Sequence, residues 1–238
     1  MSVNILTDVP DPQDHGLDAT MHWLNSRIDA VRHTKFTPEI IATFAPIELL
    51  TDFSHPCGPE AFAEWRRFFL ATLLADWCSY DTPVDRVDFA RLKYIMTSAY
   101  RYTRLWCCRF PDGQMTPVGY SAWYPIAKFV YDGILQNAAE VNDRGMIMPL
   151  RYVEQKDMRY TYVFNASIAK ELRNTHCSRR LVRALQRDNL RLGHAHVLAA
   201  TVAEDGQRLS RIAKLASAGD ITVQGMRETL YVRKPIRT

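Results

Sequence analysis

The chain has 238 residues, 47% of them hydrophobic and 24% charged, with eleven Tyr, ten Phe and five Trp. That balance belongs to a globular protein with ample core material, and it excludes a disordered or fibrous chain. A formal net charge of +4 is too small to argue by itself for a nucleic-acid partner; it suits an anionic small molecule or an acidic carrier protein equally well.

The first residues, MSVNILTDVPDPQDHG, carry neither a basic n-region nor an apolar h-region, so no secretory signal is expected. No run approaches the roughly 18 apolar residues that a membrane span needs. The most apolar window, Phe68 to Cys78, is short and contains Asp76. Cys57, Cys78, Cys107, Cys108 and Cys177 are odd in number and match no zinc spacing, which reads as reduced thiols in a cytoplasmic protein without disulfides. His194 and His196 would share a strand face, but no third ligand is identifiable, and no metal is expected.

In chain order, the first hundred residues read as helices. Leu17 to Val31 spaces Met21, Leu24, Ile28 and Val31 helically. Pro38 suits the first turn of a short helix, and residues 54–59 form a loop punctuated by Pro and Gly. A stronger helix runs from Pro59 to Trp77 with Phe62, Trp65, Phe69 and Leu73 on one face; Asp81 to Pro83 is a turn, and Val87 to Tyr100 is helical again. From there the pattern changes. Tyr102 to Phe110 reads as a strand, Pro111-Asp112-Gly113 as a hairpin turn, and Pro117 to Phe129 as a second strand. After a polar connection at Asn137 to Gly145, Arg159 to Ile168 alternates as a third strand, with Tyr160, Tyr162, Phe164 and Ala166 on one face. Ser178 to Leu192 follows as a helix, His196 to Val202 as a strand, Gln207 to Leu215 as a helix, and Ile221 to Val232 as strands.

One segment carries a resemblance. Strand Arg159–Ile168 leads to Arg173-Asn-Thr-His176-Cys-Ser178 and then to an amphipathic helix bearing Leu181 and Leu185. This resembles the signature of the GNAT superfamily of acyltransferases, R-x-x-G-x-G/A at a strand-to-helix turn. Arg173 takes the first position, His176 stands at the first glycine position and Ser178 at the second small position. Pro117-Val-Gly-Tyr120 and the later strand, helix and closing strands are similar to other parts of that family's pattern, so the resemblance spans about half the chain. It implies an α/β (α+β) fold: a GNAT-like mixed central sheet flanked by helices over residues 101–238, with residues 1–100 as a helical N-terminal elaboration.

The resemblance also implies thioester chemistry. Unpaired backbone N–H groups and the helix dipole favour a pyrophosphate at such a helix N-terminus. Ala166, Ser167 and Ile168 would offer strand hydrogen bonds to a pantetheine arm. Arg173, His176, Ser178, Arg179 and Arg180 would complete the donor-binding set. His176 departs from the pattern, since a side chain stands where the family's glycine leaves room for phosphate. The co-substrate would be acyl-CoA or a phosphopantetheinyl carrier protein, and the acceptor an amine of a small molecule or peptide. Proton transfer in such a reaction needs a base and an acid; the candidates are Glu154, Asp157, Glu228 and Tyr231.

Arg179, Arg183, Arg187 and Arg191 recur every four residues, which puts them on one helix face. That face is either a solvated polar surface or a track for phosphates and carboxylates, of CoA, an acidic carrier protein or tRNA. Two alternatives therefore stand beside acyl-CoA transfer: an aminoacyl-tRNA-dependent transferase, and a non-catalytic binding module of the same fold.

Overall fold

The computed structural model describes residues 18–27, 36–43, 47–50, 59–99, 102–109, 115–136, 141, 143–148, 159–191, 196–201, 203–223 and 225–233. In chain order these form α1 (residues 18–27), α2 (Pro38–Thr43), β1 (Ile47–Leu50), α3 (Pro59–Ser79), α4 (Phe89–Ala99), β2 (Thr103–Arg109), β3 (Met115–Pro125) and α5 (Lys128–Leu135). Then come α6 (Asp143–Met146), β4 (Tyr160–Ile168), α7 (His176–Arg191), β5 (His196–Thr201), α8 (Glu204–Ile212), β6 (Ala216–Val223) and β7 (Met226–Val232). The strands form a mixed seven-stranded sheet in the order β1-β2-β3-β4-β5-β7-β6. β4 is its middle strand. It runs parallel to β5, while β1–β2, β5–β7 and β6–β7 are antiparallel. The expected α/β class with helices around a mixed sheet is what the chain adopts.

Two compact units emerge, each discontinuous in sequence: residues 1–93, 104–120 and 167–178, and residues 94–103, 121–166 and 179–238. In the first unit, every residue of α3 from Phe68 to Trp77 is buried. Over this stretch the helix is therefore enclosed on all sides, where the spacing of Trp65, Phe69 and Leu73 suggested a single apolar face. Trp65 stacks on Phe69 at 5.4 Å, and Phe69 meets Phe89 edge-on at 5.0 Å. The one charged group inside this stretch, Asp76, is fully buried, accepting the Val87 N–H at 2.8 Å and the Tyr120 hydroxyl at 3.0 Å. Burial first, and then the charge of Asp76, raises the Tyr120 phenol well above its ordinary pKa of 10.0.

The second unit has a core in which Trp123, Tyr124, Tyr162, Leu185, Leu198, Leu230 and Val232 cluster with Ile95 and Ala99 of α4. Tyr124 donates its hydroxyl to the buried Asp143 at 2.6 Å. At the start of the parallel pair, Tyr160 stacks on its register partner His196 at 4.6 Å, and Tyr131 of α5 closes on both.

Several boundaries differ from expectation, each for a physical reason. The first hundred residues are not all helix, because β1 pairs antiparallel with β2 from Ile47↔Cys107 to Leu50↔Arg104. β3 ends at Pro125, and Lys128–Leu135 forms α5 where strand was expected to continue to Phe129. The polar connection contains Val141, fully buried and bridged in parallel to Val223, and the short helix α6. α8 starts at Glu204, so Gly206 lies inside a helix and not in a turn: a Cβ there would lie 2.9 Å from Cβ of Thr201 and closer still to its hydroxyl. The same helix stops before Leu215 because Lys214 adopts φ 60° and the Leu215 N–H caps the Ser210 carbonyl at 2.9 Å, a Schellman ending. β6 breaks register between Ser217 and Gly219, and its Asp220 pairs with Arg227 of β7 at 2.6 Å. Leu17 and residues 28–31 of the first expected helix and the Pro111–Gly113 turn lie outside the described residues.

Candidate functional site

The site grows out of the end of β4. Pairing between β4 and β5 runs from Tyr160↔His196 to Val163↔Ala199, and β4 then continues through Phe164 to Ile168. On its other side β4 runs antiparallel to β3, held at one end by Ile126 N–H to the Tyr160 carbonyl (3.0 Å) and at the other by Ala169 N–H to the Val118 carbonyl (2.6 Å). At this second end the strands approach so closely that only glycine fits at 119. A Cβ on Gly119 would lie 2.9 Å from Cα of Ile168 and closer to the Ser167 carbonyl oxygen.

Past β4 the chain makes a 3-10 turn at Lys170–Leu172, then passes Asn174 at φ 65° before α7 begins at His176. Two features fix this loop. The Arg173 guanidinium donates through Nε to the Ile168 carbonyl at 3.3 Å and through Nη2 to the Ser79 carbonyl at the end of α3. Thr175 is the helix cap: its Oγ1 accepts the Cys177 N–H at 3.1 Å and donates to the Leu172 carbonyl at 2.6 Å. Lys170 adds an exposed ion pair with Asp81 at 2.9 Å, a small contribution at such exposure.

Ser167 is buried, and its Oγ has no hydrogen-bond partner among the described residues. Ser178 is buried too, with Oγ donating to the Thr175 carbonyl at 3.0 Å. His176 is exposed at the first helical position, 3.6 Å from the Cys177 sulfur. Cys177 itself faces inward, where its thiol hydrogen-bonds that of Cys108 on β2. That bond and burial push the Cys108 thiol far up, and burial alone pushes Cys107 up to about 12. Cys78, Cys107, Cys108 and Cys177 are all free thiols.

Further along α7, Leu181, Val182, Ala184 and Leu185 are buried, while Arg179, Arg180, Arg183 and Arg187 are exposed. None of these four arginines has an ion-pair or hydrogen-bond partner among the described residues. Arg191 ends the helix, and its side chain is outside the described set.

The residues expected from the sequence to bind the donor, Ala166, Ser167, Ile168, Arg173, His176 and Ser178, lie on one continuous strand, loop and helix start, with Arg179 and Arg180 following directly. The two described acid–base candidates, Glu228 and Tyr231, both lie on β7. Tyr231 of β7 is buried among Val197, Ala199 and Leu215, and Glu228 stands opposite Ile221 on the β6–β7 hairpin. Glu154 and Asp157 lie outside the described residues. Among the described residues, no group of three or more His, Cys, Asp or Glu is placed to hold a metal ion. Nor is any helix among them long and apolar enough to cross a membrane. Sequence reasoning passed over Thr175 and Ser79. Thr175 does carry a signal, a cap residue immediately before a helix. Ser79 carries none, because it acts through its backbone carbonyl across 94 residues of chain.

No protein-family model and no curated protein sequence matches the chain. Among solved structures it is similar to the loading GNATL domain of CurA from Lyngbya majuscula, with TM-score 0.54 and 11% identity, covering 71% of this chain and 93% of that one. It is also similar to the GphF GNAT-like decarboxylase in complex with isobutyryl-CoA, with TM-score 0.51 and 13% identity, covering 70% of this chain and 94% of that one. The chain has the GNAT fold. Within the GNAT fold seen here, the strand that outruns its parallel neighbour is the central one, and the Arg173–Ser178 loop follows it, as the sequence pattern required.

Proposed function

We propose that this protein transfers an acyl group from a thioester to an amine. The observation that carries this reading is the course of β4: it pairs with β5 for four residues, continues alone on that side to Ile168, and ends at a capped helix N-terminus. A strand edge of that kind accepts an extended, amide-bearing arm, and the helix start accepts an anion. Of the two similar structures, one is a loading domain and the other holds isobutyryl-CoA, which supports a thioester donor.

In this reading the backbone of Ala166 and Ser167 holds the pantetheine amides. Ile168 contributes less, since its carbonyl already accepts from Arg173 and the following N–H is taken by Val118. Arg173 holds the loop in shape; His176, Ser178, Arg179 and Arg180 meet the donor's phosphates. The Ser167 hydroxyl, buried and without a partner among the described residues, takes the thioester oxygen or a donor amide as its missing partner. The amine attacks the thioester carbonyl, the tetrahedral intermediate collapses, and the C–S bond breaks. The amine's proton leaves to a base and the thiolate takes one up, giving amide and free thiol. Glu154, Asp157 and Glu228 are the proposed bases and Tyr231 the proposed acid, with residues 1–100 elaborating the acceptor side.

Calorimetric titration with acetyl-CoA, followed by an amine panel with thiol release as the readout, tests this directly. Binding together with amine-dependent thiol release is the expected result; absence of both rejects it. The similarity to a GNAT-like decarboxylase motivates a second reading, decarboxylation of a carboxyacyl thioester on the same strand. The carboxylate would leave as CO2 and the resulting enolate would take up a proton, so malonyl-CoA would yield acetyl-CoA with no thiol released.

A further inference from the structure

The most highly charged feature that the site touches only at its first residue, Arg179, is the outer face of α7. At about 100° per residue, Arg179, Arg183 and Arg187 span an arc of about 80°, and Leu190 falls within it. All four side chains are exposed, Leu190 at 66%, whereas the opposite side of the helix is buried through Leu181, Val182, Ala184 and Leu185. The three arginines follow one another at intervals of about 6 Å along the axis. Like charges at that spacing repel one another. The helix carries no compensation for this. Its one acidic residue, Asp188, is at neither i+3 nor i+4 from any of the three, and none of them has a partner among the described residues.

We propose that this face docks an acidic amphipathic helix of a protein partner, namely the carrier protein that would bring the thioester. The identity of the partner rests on the thioester reading; the docking face does not. Arginines at one helical repeat match carboxylates presented at the same repeat by a facing helix, each pair able to form two parallel hydrogen bonds. Leu190 decides between a protein and a nucleic acid. A phosphate backbone offers an exposed leucine nothing to bury against, while an amphipathic helix presents an apolar flank beside its carboxylates. CoA held at the helix start meets Arg179 only, because Arg187 stands about three turns beyond that start.

The test uses the full chain with three probes: an acetylated holo acyl carrier protein, acetyl-CoA, and an RNA hairpin. Two variants are compared with the wild type, Arg183→Glu/Arg187→Glu and Leu190→Ser, with circular dichroism melts to confirm folding. Two exposed pairs of about 0.7 kcal/mol each amount to roughly tenfold, so the double variant is expected to weaken carrier binding by at least about that factor at low salt. Leu190→Ser is expected to weaken it without changing the salt dependence, and acetyl-CoA binding is expected to be unchanged by both. Carrier binding that is absent, or equal in all three proteins, overturns the proposal, as does an RNA hairpin that binds in place of the carrier. Binding by calorimetry is read separately from turnover. A carrier that docks on this face but is never used, with acetyl-CoA also inert, would reject the thioester reading and leave the docking face standing.

Discussion

Replacing Gly119 by alanine puts a methyl group against the backbone of Ser167 and Ile168, atoms that have no rotamer to yield. β3 and the end of β4 must then separate, and overpacking of this kind costs about 1–3 kcal/mol. Urea unfolding of Gly119→Ala should show that loss, and donor binding should weaken with it because the displaced backbone is the proposed donor strand. Arg173 offers a second residue-level test. Arg173→Met removes two hydrogen bonds from a charged donor to the Ile168 and Ser79 carbonyls, a loss of roughly 1.5–3 kcal/mol, and Arg173→Lys should recover only part of it. A direct phosphate ligand would behave differently, with Lys restoring donor affinity while stability stayed constant throughout. The buried acids fix the alkaline limit of stability. Cys107 is raised from 9.0 to about 12, and Tyr120 well above 10.0, so both are neutral in the folded protein where the unfolded chain would ionise them. The sign follows: their contribution is complete below about pH 9 and is lost as pH climbs towards about 12. Unfolding free energies measured from pH 8 to 11 should therefore fall, and the Cys107 thiol should resist alkylation until the protein is denatured.

At the scale of elements, α7 depends on Thr175. Thr175→Ala removes the side-chain hydrogen bonds to the Cys177 N–H and the Leu172 carbonyl together, and a cap loss of about 0.5–2 kcal/mol is expected in thermal or urea unfolding. Most elements of the C-terminal half were legible because their signals are local: the alternation of Tyr160, Tyr162, Phe164 and Ala166 defines β4, and the apolar stripe through Leu181 and Leu185 defines α7. β1 was not legible. Four residues, Ile47–Leu50, carry too short a pattern, and what makes them a strand is the partner β2 more than fifty residues away. α5 was hidden for a related reason, since the aromatic run continues past Pro125 without change of composition while the chain turns from strand to helix. The order of strand, loop and helix start could be read because the three follow one another in sequence. Spacing carries no record of side-chain convergence between distant segments, so it does not choose among Glu154, Asp157, Glu228 and Tyr231.

At the scale of the whole molecule, the sheet order places three strands on either side of β4, and the segment proposed to hold the donor lies beyond the register with β5 and is held on its β3 side. The Asp76–Tyr120 pair ties α3 to β3 from inside, and Tyr120→Phe should cost about 1–3 kcal/mol by leaving a buried carboxylate oxygen short of a donor, as read by urea unfolding. The ends of the same sheet have a consequence of a different kind. A long, flat, regular outer strand would invite a second molecule to add its own strand, the first step towards fibres. Among the described residues one outer strand, β1, is four residues long. The other, β6, is broken at Ser217/Gly219, bears the charged Asp220, and is bridged at Val223 by Val141. These features work against cross-strand assembly of the folded form, so aggregation on heating is expected to begin from chains that have lost one of them.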